Sequence, residues 1–260
     1  MVDLHAHVLP GIDDGPPDLD ASVELLRAVE ADGIATIAAT PHVREDHPDV
    51  VPSELAGRVA ELQARLDAEG IGVRVVPSGE VDLAWAMGAD EAALKLVSIG
   101  QRGTDLLVET PYGEPPSTLD DLLFSLAVKG YRVLLAHPER GPAFQRHPER
   151  LEALHARGVL MQVTAFALIA PGRPSRSHKL ATQLVRDGLA TILASDAHAV
   201  GGGRPAGLSG GVTVAARLVG PERARWLVRD APTAILEGRP LPPAPEIVAS
   251  RRSRLTFWRR

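Results

Sequence analysis

The chain has 260 residues, 45% of them hydrophobic, a formal charge of -5 and a pI near 6.0. That is enough apolar material for one sizeable core, and the mild acidity gives no general attraction to nucleic acid. Cysteine is absent, which excludes disulfides, thiolate metal ligands and a cysteine nucleophile, and no apolar run approaches the about 18 to 20 residues that a transmembrane segment needs.

Strand-like apolar runs alternate with helical patterns seven times, which predicts βα units around a parallel sheet or barrel. The first strand, at 2–6, leads into His7, and His5 and His7 lie two residues apart on one face, so their imidazoles converge. Pro10-Gly11 closes it, and the turn that follows carries Asp13 and Asp14. Two nitrogens beside carboxylate oxygens are the mixture that manganese, iron and zinc accept. Asp13 is expected to shape the turn that aims Asp14. His5, His7 and Asp13 also stand where the apolar part of a signal peptide would lie, so a cytoplasmic chain is expected. A helix follows at 22–31, entered through Asp20 as N-cap and closed by Gly33. Asp18-Leu19-Asp20-Ala21-Ser22 has the spacing of an aspartate-nucleophile motif. It follows Gly15-Pro16-Pro17 instead of an apolar strand, so helix capping is the better reading.

The strand at 34–39 ends at Thr40-Pro41-His42, and His47 is placed in a solvated loop, with a lid over the site as the alternative. A helix at 53–68 ends at Gly70, and the strand at 73–77 leads into Ser78-Gly79-Glu80. The stretch 81–102 shows no clear pattern beyond a helical piece at 90–94. Strand 105–108 ends at Glu109-Thr110-Pro111; after a helix at 119–128, strand 132–136 ends at His137-Pro138-Glu139-Arg140. The later units are helix 148–157, strand 159–163, helix 177–187 and strand 190–194, which ends at Ser195-Asp196-Ala197-His198. Thus His42, Glu80, Glu109, His137, Asp196 and His198 all stand at or just past the C-terminal end of a strand, where barrel folds place their active-site loops.

His147, His155 and His178 lie away from strand ends and are read as surface residues, while Trp85 and Tyr112 are assigned to packing ahead of lining a pocket. The Gly-rich run 201–211 lacks the Lys-Ser or Lys-Thr of a phosphate loop and is read as a mobile active-site loop, followed by helices at 212–218 and 222–228. Proline dominates 239–245, so one domain is assigned to 1–240. Residues 241–260, Pro-rich and then basic with Phe257 and Trp258, are assigned to a flexible tail with a disordered end, with membrane-surface or partner binding as the alternative.

Taken together, His5-x-His7, Asp14, Thr40-Pro41-His42, Gly79-Glu80, Glu109, Ala136 to Arg140 and Ser195-Asp196-Ala197-His198 resemble the polymerase-and-histidinol-phosphatase (PHP) family. The openings Asp3-Leu4-His5-Ala6-His7 and Leu9-Pro10-Gly11-Ile12-Asp13-Asp14-Gly15 look like its manganese-dependent bacterial tyrosine-protein phosphatases, linked to capsule and exopolysaccharide synthesis. The resemblance spans residues 2–240 and implies a distorted seven-stranded (β/α)7 TIM-like barrel with three divalent ions at its mouth, Mn2+ first, with Fe or Zn as alternatives. It implies His5, His7, Glu80 and Asp196 at one metal, and Glu80 bridging to a second completed by Glu109 and His137. Asp14, His42 and His198 would hold the third. Arg140 would face the phosphoryl oxygens, as would Arg204 in the Gly-rich loop, during in-line attack by a metal-bound hydroxide. A phosphorylated protein is the implied substrate, with a bacterial tyrosine kinase as the implied partner. Nothing in the residues fixes the oligomeric state.

The chain departs from this pattern at Gln162-Val163-Thr164-Ala165-Phe166-Ala167, where these phosphatases usually show Asn-Ala-Gly-Ser, so that Phe166 would narrow the pocket. Ala199 stands where an Asn usually follows, and the loop to Arg204 is one residue longer. Three alternatives remain on the residues: a small-molecule phosphoesterase of histidinol-phosphate or nucleotide type, an amidohydrolase, and a non-catalytic regulatory module. An amidohydrolase has no need of Arg140, Asp14 and His42, and a regulatory module would have lost ligands.

Overall fold

The computed structural model describes residues 1–111, 113, 118–169 and 172–248. Nine strands among these residues are β1 (Val2–Ala6), β2 (Thr36–Ala39), β3 (His42–Val43), β4 (Arg74–Pro77), β5 (Glu80–Val81), β6 (Asp105–Glu109), β7 (Arg132–Ala136), β8 (Leu160–Thr164) and β9 (Ala190–Ala194). All pairings are parallel and form two sheets, in the orders β1-β2-β4 and β3-β5-β6-β7-β8-β9. Parallel strands are covered on both faces and therefore read as unbroken apolar runs. Leu106-Leu107-Val108, Leu134-Leu135-Ala136 and Ile192-Leu193-Ala194 are such runs, and each of these side chains is fully buried.

The sheets continue one another. Ala39 pairs with Pro77 in the first sheet, and after the bends at Thr40-Pro41 and Ser78-Gly79, His42 pairs with Glu80 in the second. At the other side, Asp196 N–H donates to His5 O and His7 N–H to Ala197 O, both at 2.8 Å, so β1 meets the stretch that follows β9. The side chain of Asp3 ties the same two segments by accepting from the N–H groups of His5 and Ser195 at 3.2 and 3.1 Å.

Helices cover the sheets: α1 (Leu19–Ala31), α2 (Leu55–Ala68), α3 (Leu83–Gly88), α4 (Glu91–Val97), α5 (Leu119–Val128), α6 (Pro142–Arg146), α7 (Glu149–Ala156), α8 (Arg176–Arg186), α9 (Ser209–Val219), α10 (Pro221–Arg225) and α11 (Ala231–Leu236). The apolar stripe of α2, Leu55, Val59, Leu62 and Leu66, faces the core at helical spacing. Helix α1 begins earlier than its apolar pattern: Asp18, not Asp20, is the N-cap, and its side chain accepts from Ala21 N–H at 2.9 Å. Asp20 lies in the first turn and pairs with Arg65 at 2.9 Å.

The unclear stretch 81–102 folds into β5, α3, α4 and a 3-10 turn, and α6 and α11 add helices that short Pro-containing patterns concealed. The end of the Gly-rich run belongs to α9, whose start is pinned because Asp32 accepts from the N–H groups of Leu208 and Ser209 at 2.5 and 3.0 Å. The chain does not leave the body at residue 241. Pro242 O accepts from Trp226 Nε1 at 3.3 Å, and Val248 N–H donates to Val219 O at 3.0 Å. The basic aromatic stretch 249–260 lies outside the described residues, as does Tyr112. Among the described residues no helix is long and apolar enough to cross a membrane.

Candidate metal centre

Parallel strands bring their C-terminal ends to one side of the molecule, and the polar residues at those ends face a common basin. The pleat of β1 puts His5 and His7 on one face, and the turn after it is fixed by Asp13. One Asp13 oxygen accepts from Gly15 N–H at 3.0 Å; the other meets His7 Nδ1 at 2.6 Å and accepts from His42 N–H at 3.2 Å. After β7 and β9 the backbone turns sharply at His137 and Asp196, which have φ of 34° and 52°. Left-handed backbone is costly for residues other than glycine and concentrates at functional sites, where a side chain must be kept. Glycine would make both turns easily and would remove both donors.

Glu80 occupies the centre. Its Oε2 lies 3.3 Å from His5 Nε2, 3.4 Å from His7 Nε2 and 3.1 Å from His42 Nδ1, and its Oε1 lies 2.8 Å from His137 Nε2. Asp196 Oδ1 stands 3.3 Å from His5 Nε2, on one flank. On another, Asp14 Oδ1 stands 3.0 Å from His198 Nε2 and 3.5 Å from His42 Nε2. Glu109 Oε2 is 3.8 Å from His42 Nδ1. The nine imidazoles and carboxylates singled out in the sequence therefore lie in one basin, although they come from seven separate segments of the chain.

His5, His7 and Glu80 are fully buried. Four atoms aimed at each other, His5 Nε2, His7 Nε2, His42 Nδ1 and Glu80 Oε2, have no hydrogen-bond partner among the described residues. Leaving buried polar atoms without partners costs free energy, and nitrogen and oxygen donors converging in this way fit a divalent cation. Donor atoms lie within 4.8 Å of one another in four overlapping sets: His5-His7-Glu80, His5-His137-Asp196, His42-Glu80-Glu109 and His7-Asp14-His42-His198.

Without a cation the basin holds its charge by internal pairing. Burial alone pulls the His7 imidazole down, but the carboxylates of Asp13 and Glu80 outweigh it and carry its pKa up to about 10. Burial opposes ionisation of Glu80, yet the surrounding His5 and His137 rings hold its carboxyl well below the usual range. Glu109 is pushed up, first by burial and then by the neighbouring charge of Glu80.

Arginines rim the basin. Arg140 Nη1 is 2.5 Å from Asp196 Oδ2, and its Nη2 approaches Thr164 Oγ1 at 3.4 Å. Arg204 Nη2 donates to Asp14 Oδ2 at 2.6 Å, and its Nη1 touches His198 Nε2. A third, Arg44, escaped the sequence reading. Its Nη1 donates to Glu109 at 3.2 Å, and the signal was available, because Arg44 follows His42 by two residues just beyond β3. Gln162 was noted only as the start of a departure. Its Oε1 lies 2.9 Å from His5 Nδ1 and 3.0 Å from His137 N, and its signal was a lone polar residue inside the apolar run of β8.

His47 is half-buried with its ring stacked on His42 at 5.2 Å, so it belongs to the basin's edge and is less solvated than expected. Trp85 packs against the core and also lines an open cavity of about 820 Å3 with Arg44 and Asp46. His147 pairs with Glu149 at 3.1 Å, and His178 meets Ala167 O at 3.0 Å; neither enters the basin. Phe166 is 37% exposed on the 3-10 turn after β8.

Residues 1–237 match the family model described as capsular polysaccharide synthesis, CpsB/CapC. The chain is 33% identical over 201 residues to tyrosine-protein phosphatase YwqE of Bacillus subtilis, covering 77% of this chain and 78% of the relative. Over the same length and shares it is 29% identical to the putative tyrosine-protein phosphatase CapC of Staphylococcus aureus. Among solved structures it superposes, with a TM-score of 0.83 and 29% identity over 96% of this chain and 100% of the other, on a chain from the crystal structures of YwqE from Bacillus subtilis and CpsB from Streptococcus pneumoniae, described as metal-dependent tyrosine phosphatases. With a family model matched over almost its whole length, and a fold and a basin of donors in keeping with it, this chain belongs to the CpsB/CapC family of capsular polysaccharide synthesis.

Proposed function

We propose that the chain is a metal-dependent protein tyrosine phosphatase acting in capsule or exopolysaccharide synthesis, with a bacterial tyrosine kinase first among its phosphoprotein substrates. The observation that carries this reading is the convergence of unpartnered buried donors on Glu80, in a chain whose relatives are named as tyrosine-protein phosphatases. His5, His7, Glu80 and Asp196 are assigned to one cation, Glu80, Glu109 and His137 to a second, and Asp14, His42 and His198 to a third. Imidazole and carboxylate donors without thiolate suit Mn2+, with Fe or Zn as alternatives. Bound divalent cations supply Lewis acidity, which lowers the pKa of water and offsets charge on phosphoryl oxygens. The fold belongs to the same reading: β2 with β3, and β4 with β5, each count as one bent strand of a seven-stranded barrel that the contacts between β1 and residues 196–197 would close.

The chain's own residues account for binding and orientation. The planar forks of Arg140 and Arg204, held against carboxylates on two flanks of the basin, bind non-bridging phosphate oxygens and meet the charge that grows on them. The leaving phenol has a pKa of about 10, so its departure depends little on a protonating side chain.

The test is a purified-protein assay of a phosphotyrosine peptide, an aryl phosphate and an alkyl phosphate, with and without chelator. Hydrolysis of the peptide and the aryl ester that disappears on chelation is expected. Turnover of alkyl esters alone would move the reading to a small-molecule phosphoesterase.

A further inference from the structure

We propose that Gln162 is a positioning residue for the metal centre: one amide oxygen, shared by the His5 ring and the His137 backbone, fixes the tautomer of the first and the turn that presents the second. This rests on the metal-dependent reading above and adds a residue from β8, a strand that supplies none of the nine expected donors.

Gln162 is fully buried between Met161 and Val163, also fully buried. A primary amide in such a strand costs desolvation unless it is used. The atom that faces His137 N at 3.0 Å must be an acceptor, because a backbone N–H only donates. It is therefore Oε1, and His5 Nδ1, 2.9 Å from the same oxygen, must present a hydrogen to it. In the neutral ring that choice leaves His5 Nε2 as the nitrogen with a lone pair, on the side of Glu80 Oε2 and Asp196 Oδ1, both 3.3 Å away.

The second bond acts on backbone. His137 holds φ 34° and ψ 51°, a left-handed conformation unfavourable for a residue with a Cβ, and its N–H donates to Gln162, which is distant along the chain. Other rings have their own outward acceptors: Asp13 Oδ2 for His7 at 2.6 Å and the Asp196 carbonyl for His198 at 2.9 Å. As Asp13 Oδ2 does for His7 and His42, Gln162 Oε1 serves residues of two strands, β1 and the end of β7, with one atom. Among the described residues its Nε2 has no hydrogen-bond partner, so the bonds this side chain makes are made by its oxygen.

The experiment strips metal from wild type, Gln162→Glu and Gln162→Met, and measures Mn2+ affinity by competition with a fluorescent chelator, with elemental analysis and circular dichroism alongside. Glu keeps an oxygen in the same place and Met removes it at similar volume. Wild-type binding in Q162E to within about threefold is expected, with Q162M about 10- to 100-fold weaker at unchanged secondary structure. A Q162M that binds Mn2+ like wild type, or a Q162E as weak as Q162M, overturns the proposal while leaving the metal reading intact. A wild type that takes up no Mn2+, Fe or Zn overturns the metal reading first. A readout independent of the variants is 15N histidine NMR of the Zn2+-loaded wild type, where His5 must carry its proton on Nδ1; a proton on Nε2 contradicts the assignment.

Discussion

Arg140 touches Asp196 at 2.5 Å and so sits beside an expected metal donor without being one. Its loss should therefore separate catalysis from metal retention. Arg140→Ala is expected to lower kcat about 100-fold or more while metal content per chain stays at the wild-type value, as for other groups that meet transition-state charge. An unchanged kcat removes Arg140 from the mechanism. Glu80→Gln gives the opposite pattern: the central oxygens stay in place but lose the charge that balances several imidazoles, so metal content itself should fall. His7 supplies a pH signature. In the stripped chain its pKa is raised from 6.5 to about 10, so its stabilising pairing is complete below about pH 6.5 and is lost as pH rises toward 10. Melting of the stripped protein should accordingly move to lower temperature between pH 6.5 and 10, whereas the loaded protein, with that ring deprotonated on a metal, should show a flatter profile.

At the scale of elements, the gathering of these imidazoles and carboxylates was legible because most stand where an apolar run gives way to a turn, a pattern that local residues dictate. What the sequence concealed depended on contacts between distant segments. The N-cap of α1 was misplaced by two residues because Asp18 and Asp20 are equally good caps by type, and only the backbone geometry selects Asp18. Asp18→Ala is expected to lower stability by about 1 kcal/mol and Asp20→Ala by less than about 0.5 kcal/mol, read by urea denaturation. Arg44 and Gln162 were passed over as ordinary loop and strand residues, since their partners Glu109, His5 and His137 lie far along the chain. The Gly-rich run was read as mobile to its end, yet Asp32, on the far side of the first helix, fixes the start of α9. Gly79 shows how tightly an element can place a donor. A Cβ there would lie 2.5 Å from Val43 Cγ2, so Gly79→Ala should push β5 from β3, shift Glu80 and reduce metal content without touching any donor.

For the whole molecule, the arrangement gathers Asp14, Glu80, Glu109 and Asp196 into one basin, among imidazole rings and the guanidinium groups of Arg44 and Arg140. Cations that bind the folded chain alone must stabilise it by mass action. Parallel topology makes this possible, since the registers that pair His42 with Glu80 and Glu109 with Ala136 keep the donor-bearing ends level. Whether these converging side chains hold several divalent cations is decided by anomalous diffraction at the Mn edge from crystals of the Mn2+-loaded protein. Peaks bounded by His5, Glu80, His137, Asp196 and Asp14 are expected; a loaded, active crystal with no peak there, or with its metal elsewhere on the molecule, would contradict the proposed metal centre.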